Sequence, residues 1–254
     1  MSVFVNKHFV YGIQKLVITG YVLFAATACT TLSKNDDPNL HVSPDSLEGF
    51  NRKSYAFNDA LDRAILKPVA SAYDSALPEP AKNGVGNFFS NLSEPISIIN
   101  NIFQGKVDGA LNSTYRFVVN STVGIFGLLD VADSYEVEQK PEDFGQTLAA
   151  WGVKPGPYVV IPFLGPSNIR DGVSRALGSA VIYPIDIATD DSGATLALTV
   201  LDIVDTRAGL LGADEVLSNQ LDPYLFLKTA YESNRIKQIY DGDPPEQDDD
   251  DLEF

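Results

Sequence analysis

From residue 47 onward, apolar residues fall at helical intervals. Leu47, Phe50, Phe57, Leu61 and Ile65 are separated by three, seven, four and four positions, which places them on one stripe of an α-helix. Ser43 or Ser46 can cap its start, Glu48 suits its first turn, and Pro68 is expected to end it, so a helix is predicted over 47–66. A second stripe shares another face: Asn51, Tyr55, Asn58 and Asp62, spaced four, three and four. Lys and Glu are the usual residues on an exposed helix face. Uncharged Asn and Tyr suit a wet but confined surface, and the same pattern also fits a solvated face.

Further helices follow by the same reasoning. Residues 79–92 begin with Pro80 in the first turn, where proline is tolerated. A new helix is expected over 93–103, capped by Ser93 with Pro95 near its start, and Gln104-Gly105 breaks it. An amphipathic helix is predicted over 106–122, then an apolar stretch over 123–131 punctuated by Gly124 and Gly127. Asn83, Asn87, Asn91, Asn100, Asn101, Asn112 and Asn120 decorate these segments, and Asn, a mediocre helix former, suits caps and turns. A short helix is expected over 143–151. The run 156–166 holds too many Pro and Gly for a helix, and reads as a strand pair or an extended apolar loop. Ser167 or Asn168 can cap a helix over 169–177. Two more are expected over 195–211 and 214–240, with Asp222-Pro223 a kink or a new start. The fold expected is all-α, with one short extended segment near 156–166. No predicted helix carries an uninterrupted apolar run of bilayer length. Amphipathic helices of this kind fit a soluble bundle or a membrane interface, and the pattern does not choose.

The N-terminus reads as a targeting segment. Lys7 and Lys15 precede an uncharged, mostly apolar run over 16–28. As a helix that run rises only about 20 Å, short of a hydrocarbon core of ~30 Å, so it is a secretory signal rather than a span. The sole cysteine, Cys29, follows Ala26-Thr27-Ala28. This resembles a bacterial lipobox, departing from it at Ala26, where Leu is usual. The resemblance implies acylation of Cys29, with an ordinary signal peptide or anchor and an incidental cysteine as the alternative, and Thr30 in place of Asp implies the outer membrane. The chain therefore divides into a lipoprotein signal peptide (1–28), an acylated start and Pro-bearing tether (29–46), a helical domain (47–240) and an acidic tail (241–254).

Composition removes several functional classes. The chain has 254 residues and a formal net charge of −16, and eight acids and no base lie within 241–254. That balance makes nucleic acid a poor partner, because phosphate contacts need Lys and Arg. The tail is too acidic to bury a core. One cysteine and two histidines, His8 and His41, leave no material for a Ser-His-Asp or Cys-His nucleophile or for a zinc site. Acidic pairs such as Asp190/Asp191 and Asp214/Glu215 read as loop and helix-start residues, since neighbours on a helix do not converge. There is no phosphate-binding Gly-rich loop. No catalytic residue, metal or cofactor is assigned.

The order of short motifs then carries a resemblance. Leu47-Glu48-Gly49-Phe50-Asn51-Arg52 is followed by Tyr55-Ala56-Phe57-Asn58, Lys67-Pro68-Val69-Ala70, Pro80-Ala81-Lys82-Asn83-Gly84 and Asn91-Leu92-Ser93-Glu94-Pro95. Arg116-Phe117, Asp130-Val131-Ala132, Phe144-Gly145-Gln146-Thr147-Leu148, Gly156-Pro157-Tyr158, Arg170-Asp171, Thr206-Arg207 and Asp222-Pro223-Tyr224 continue it. Over 47–240 the series resembles the MlaA/VacJ lipoprotein family. The resemblance implies a compact ring of amphipathic helices lying in the inner leaflet of the outer membrane of a Gram-negative bacterium, lipid-anchored at the periplasmic face. It implies an amphipathic channel through which phospholipids mislocalised to the outer leaflet pass to a periplasmic carrier protein, and association with a trimeric porin. On that footing Asn51, Tyr55, Asn58 and Asp62 are candidates for the channel lining, and Arg52, Lys53, Arg63 and Lys67 for contacts to lipid phosphates. Tyr158, Val160, Ile161 and Phe163 are candidates for a mobile apolar lip, with a buried core strand or loop as the alternative for that segment. For the whole protein, the alternative is a structural or assembly lipoprotein with no transfer role of its own.

Overall fold

A computed structural model describes residues 45–181, 185, 188, 189 and 191–245. Cys29, the signal, most of the tether, both histidines, Asp190 and the tail beyond 245 lie outside the described residues. The first helix, α1 (Glu48–Leu61), does not stop where expected. It passes through a π-helical turn (Asp62–Leu66) directly into α2 (Lys67–Ala76). Pro68 sits at the start of α2, immediately after the π turn. A π turn lengthens the hydrogen-bond loop, which absorbs the donor that proline lacks and the clash of its ring with the preceding turn.

The two helices expected over 79–103 are likewise one, α3 (Glu79–Gln104), with Pro95 in its interior. Ser93 is not a cap; its hydroxyl donates back to the Ser90 carbonyl at 2.7 Å. Packing on several sides holds the helix together across the proline. α4 (Val107–Thr122) lies along it, α5 (Phe144–Ala150) touches it, and α7 (Ser192–Gly209) crosses it. Gly105, left-handed at φ 74°, makes the reversal into α4. Gly109 lets the two helices close: a Cβ there would lie 2.0 Å from Asn101 Oδ1.

The 156–166 run forms a hairpin. β1 (Tyr158–Ile161) pairs antiparallel with β2 (Gly165–Asn168), Tyr158 opposite Asn168 and Ile161 opposite Gly165. α6 (Ile169–Val181) follows, and Asn168 is its cap, accepting the Asp171 amide at 2.8 Å. α7 is capped by Asp191, α8 is the short Asp214–Ser218, and α9 (Pro223–Ile239) starts afresh at an Asp222 cap. The Asp222-Pro223 step is thus a new N-terminus. The packing closes on itself: α1 on β1, β2 on α6 and α9, α6 on α5, α5 on α3, α3 on α7, and α7 on α2. No described helix is long and apolar enough to cross a membrane.

The polarity of this body is inverted. Among the described residues, twenty buried side chains are polar or charged and ten are apolar, while thirty large apolar side chains are exposed. On α1 the apolar stripe points out, with Phe50 and Phe57 about half exposed, and Asn51 of the polar stripe is completely buried.

Candidate functional site

The polar stripe of α1 and the apolar hairpin meet. Asn51 Nδ2 donates to the Tyr158 carbonyl at 3.0 Å and its Oδ1 accepts the Val160 amide at 2.9 Å. Asn58 repeats the pattern: Nδ2 to the Ile161 carbonyl at 3.1 Å, Oδ1 from the Phe163 amide at 2.8 Å. Each carboxamide offers one donor and one acceptor, as a strand's peptide would, and so completes the free edge of β1. The spacing fits because seven helical residues rise about 10.5 Å and three strand residues about 10 Å. Asn51 also donates to Asp45, whose other oxygen accepts the Tyr224 hydroxyl. Asn51 therefore has no surface left to meet a ligand in this arrangement. Tyr55, half-buried, packs edge-on against Tyr224 at 6.1 Å.

Asp62 serves a charge knot. Arg207 donates to both its oxygens, at 2.7 and 2.9 Å, and to Asp214, which also holds Lys67 at 2.8 Å. Of the cations considered for lipid phosphate, Arg52 pairs with Glu48 and Asp222, Arg63 with Asp59, and Lys67 with Asp214, all at the surface. The acid pairs behave as expected of structural residues: Asp191 caps α7 and Asp214 sits in the knot.

The hairpin divides by exposure. Tyr158 and Val160 are buried and join Tyr224 in the small apolar core, with Tyr55 and Tyr231 against it. Ile161 is half-buried, and the tip is open: Phe163 is 73% and Leu164 60% exposed. Phe163, left-handed at φ 68°, stacks edge-on against Phe57 at 5.1 Å.

Two buried ion clusters were not foreseen. Arg235 of α9 reaches Asp143 at 2.7 Å and Asp171 at 2.8 Å, and Asp171 also takes Arg170, Asn168 and Tyr231. Burial pushes the Asp171 carboxyl up, but Arg235 and Arg170 outweigh it and hold it at about 2. The second cluster joins α3 to α4 and the loop after it. Arg116 bonds Glu94 at 2.9 Å, Asp130 at 2.6 Å and the Val137 carbonyl, and Asn120 holds the other Asp130 oxygen. Burial still leaves Glu94 above its ordinary range, against the pull of Arg116. A signal for one cluster was present in the sequence: Tyr224, Lys228, Tyr231 and Arg235 repeat the four-three-four spacing of the α1 stripe.

Between α3 and α7 lies a cavity of about 380 Å³, lined by Gly86, Phe89, Ser90 and Ser93 from α3, by Asp202, Asp205 and Thr206 from α7, and by Ile185. Its volume falls in the range of small-molecule sites, and its wall is mixed. Tyr73 donates to Asp205 at 2.6 Å. Among the described residues no cluster of potential metal ligands occurs. The arrangement as a whole keeps hydrogen-bonding groups inside and hydrocarbon outside.

The chain is similar to proteins already known. The sequence model of the MlaA lipoprotein family matches residues 43–238. The Escherichia coli intermembrane phospholipid transport system lipoprotein MlaA is 38% identical over 192 residues, covering 74% of this chain and 75% of that protein. The lipoprotein of the same name from Haemophilus influenzae is 32% identical over 232 residues, covering 90% and 92%. A solved structure described as "Structural basis for maintenance of bacterial outer membrane lipid asymmetry" superposes with a TM-score of 0.68 at 35% identity, covering 77% of this chain and 99% of that one.

Proposed function

The chain belongs to the MlaA lipoprotein family, and from that membership we propose that it withdraws mislocalised phospholipids from the outer leaflet of the outer membrane and passes them through its polar interior to a soluble periplasmic carrier. Its task is intermembrane phospholipid transport in the service of outer-membrane lipid asymmetry. The family is defined by lipid transport rather than by a reaction. One observation carries the reading: among the described residues the buried side chains are predominantly polar while thirty large apolar ones are exposed. In water such a surface would aggregate, whereas a monomer in lipid needs it. A phospholipid head group crossing hydrocarbon unaided loses its hydrogen bonds, at a cost of several kcal/mol per polar group, and a polar interior replaces them.

In this reading an acylated Cys29 anchors the protein at the periplasmic face, and its apolar flanks lie in the inner leaflet. Two or more acyl chains anchor stably where one does not. Tyr55 and Asp62, both half-buried, contribute to the polar wall. Asn51 and Asn58 hold the hairpin that borders it, and the Phe163-Leu164 tip meets acyl chains as the mobile part of the lip. A trimeric porin is the neighbour expected in the membrane. The test is outer-leaflet phospholipid in cells lacking the protein, with and without the gene restored. Accumulation that wild-type protein reverses is expected. Wild-type outer-leaflet levels in its absence would overturn the reading, and accumulation without lipid release by the purified protein would assign it a structural role instead.

A further inference from the structure

The cavity between α3 and α7 has a charge pattern unlike the rest of the interior. The buried carboxylates each have a cation: Glu94 has Arg116, Glu142 has Lys106, and Asp171 has Arg235. Asp202 and Asp205 differ. They stand one helical turn apart on the same face of α7, both half-buried and both in the cavity wall, and among the described residues no Lys or Arg lines it. No ion pair reaches either among the described residues; Asp205 accepts only the neutral Tyr73 hydroxyl. Burial, and then Asp205, raise the Asp202 carboxyl above its ordinary range, the mark of a negative charge that lacks compensation. The α3 side of the wall is formed by Gly86, Phe89, Ser90 and Ser93; the Ser90 hydroxyl donates to Gln139 and the Ser93 hydroxyl to the Ser90 carbonyl, so each hydroxyl oxygen can still accept.

An acidic wall facing an aromatic ring and hydroxyl groups is suited to an organic ammonium: the carboxylates supply counter-charge, the hydroxyls accept N–H bonds, and the ring face attracts the cation. A head group that ends in neutral hydroxyls brings only its phosphate charge, which the same wall repels. We propose that this cavity selects the lipid in transit by its head group, with Asp202 and Asp205 receiving the ammonium of an aminophospholipid of the ethanolamine type. The inference rests on the transport reading above and adds a substrate preference to it.

The experiment uses the full acylated protein in vesicles that contain equal amounts of phosphatidylethanolamine and phosphatidylglycerol, each in turn carrying the same photoreactive acyl chain. EDTA is present, so that a metal ion bridging phosphate to the aspartates supplies no preference. After irradiation, label on exposed apolar positions of α3 and α7, such as Ile102, Leu196 and Val200, is set aside, and label is counted residue by residue at the cavity-lining Phe89, Ser90, Ser93 and Thr206. The ethanolamine lipid is expected to label them about fivefold more than the glycerol lipid, the worth of one partly screened ion pair. In the D202N/D205N protein the ratio should fall to about one while total labelling persists. Equal labelling by the two lipids in the wild type, or an unchanged ratio in the double variant, overturns the preference. Absence of label at these positions with either lipid, while the outer apolar faces are labelled, overturns the proposal and leaves the transport reading standing, since that reading is tested by outer-leaflet lipid in cells. Asp202→Asn alone, which removes no hydrogen bond, repeats the test if the double variant fails to fold, and should lower the ratio part-way.

Discussion

Replacing Asn51 tests whether a side chain, rather than a strand, completes the β1 edge. Alanine there orphans the Val160 amide and the Tyr158 carbonyl, which belong to residues 1% and 0% exposed and so have no access to solvent. A buried polar group left without its partner costs roughly 1–3 kcal/mol, so Asn51→Ala should lose about 3 kcal/mol. For a domain of this size that lowers the melting temperature by about 6–12 °C. Volume loss alone would also destabilise, and Asn51→Asp separates the two causes. Aspartate has the shape of asparagine and still accepts the Val160 amide, but it loses both donations and sets a carboxylate against Asp45 and the Tyr158 carbonyl. It should be at least as damaging as alanine near neutral pH. It should recover in part as the pH falls below about 5, where a protonated carboxyl can donate again. Thermal unfolding of the three proteins in one detergent, across pH, is the assay. An Asn51→Asp protein that melts within about 2 °C of wild type at pH 7 would refute the hydrogen-bond account.

Other outcomes follow from the same residues. Cys29→Ser should leave an unprocessed precursor without acyl label, and normal palmitate incorporation would refute lipidation. Asp171, held at about 2 in the folded protein, contributes stability that is complete above its unfolded value near 4 and is lost as pH falls from there toward 2. Denaturant titrations should show about 2 kcal/mol disappearing over that window, and Asp171→Asn should flatten the acid limb. Removal of 246–254 should leave the melting temperature unchanged to within about a degree. Truncation after Tyr240 also removes Asp241, which pairs with Lys106 at 2.8 Å, and should cost up to about 1 kcal/mol.

The helical character of the chain, most helix starts and the non-helical 156–166 run were legible in the sequence, because each depends on residues close together along it. Asp191 and Asp222 cap through bonds to amides three positions on, and Asn168 does the same for Asp171. Gly and Pro exclude a helix over 156–166 whatever surrounds it. Local signals misled where packing outweighed them. Pro68 reads as a terminator, yet a π turn carries the helix past it, and Pro95 lies inside a helix held by neighbours on several sides. The α1 stripes were visible, but an amphipathic pattern gives two faces without saying which one is buried. That choice depends on whether water or lipid surrounds the body, and on partners as remote as Tyr158, 107 positions from Asn51. The seven Asn residues could be counted in advance; that Asn91, Asn100, Asn101 and Asn120 are buried within the α3–α4 region could not. The sequence by itself determined most of the elements and the family motifs. Tertiary structure alone decided that polar groups go inside, that Arg235 meets Asp171, and that two aspartates of α7 face Ser90 and Ser93 without a cation, because each depends on bringing together residues that no short-range period relates.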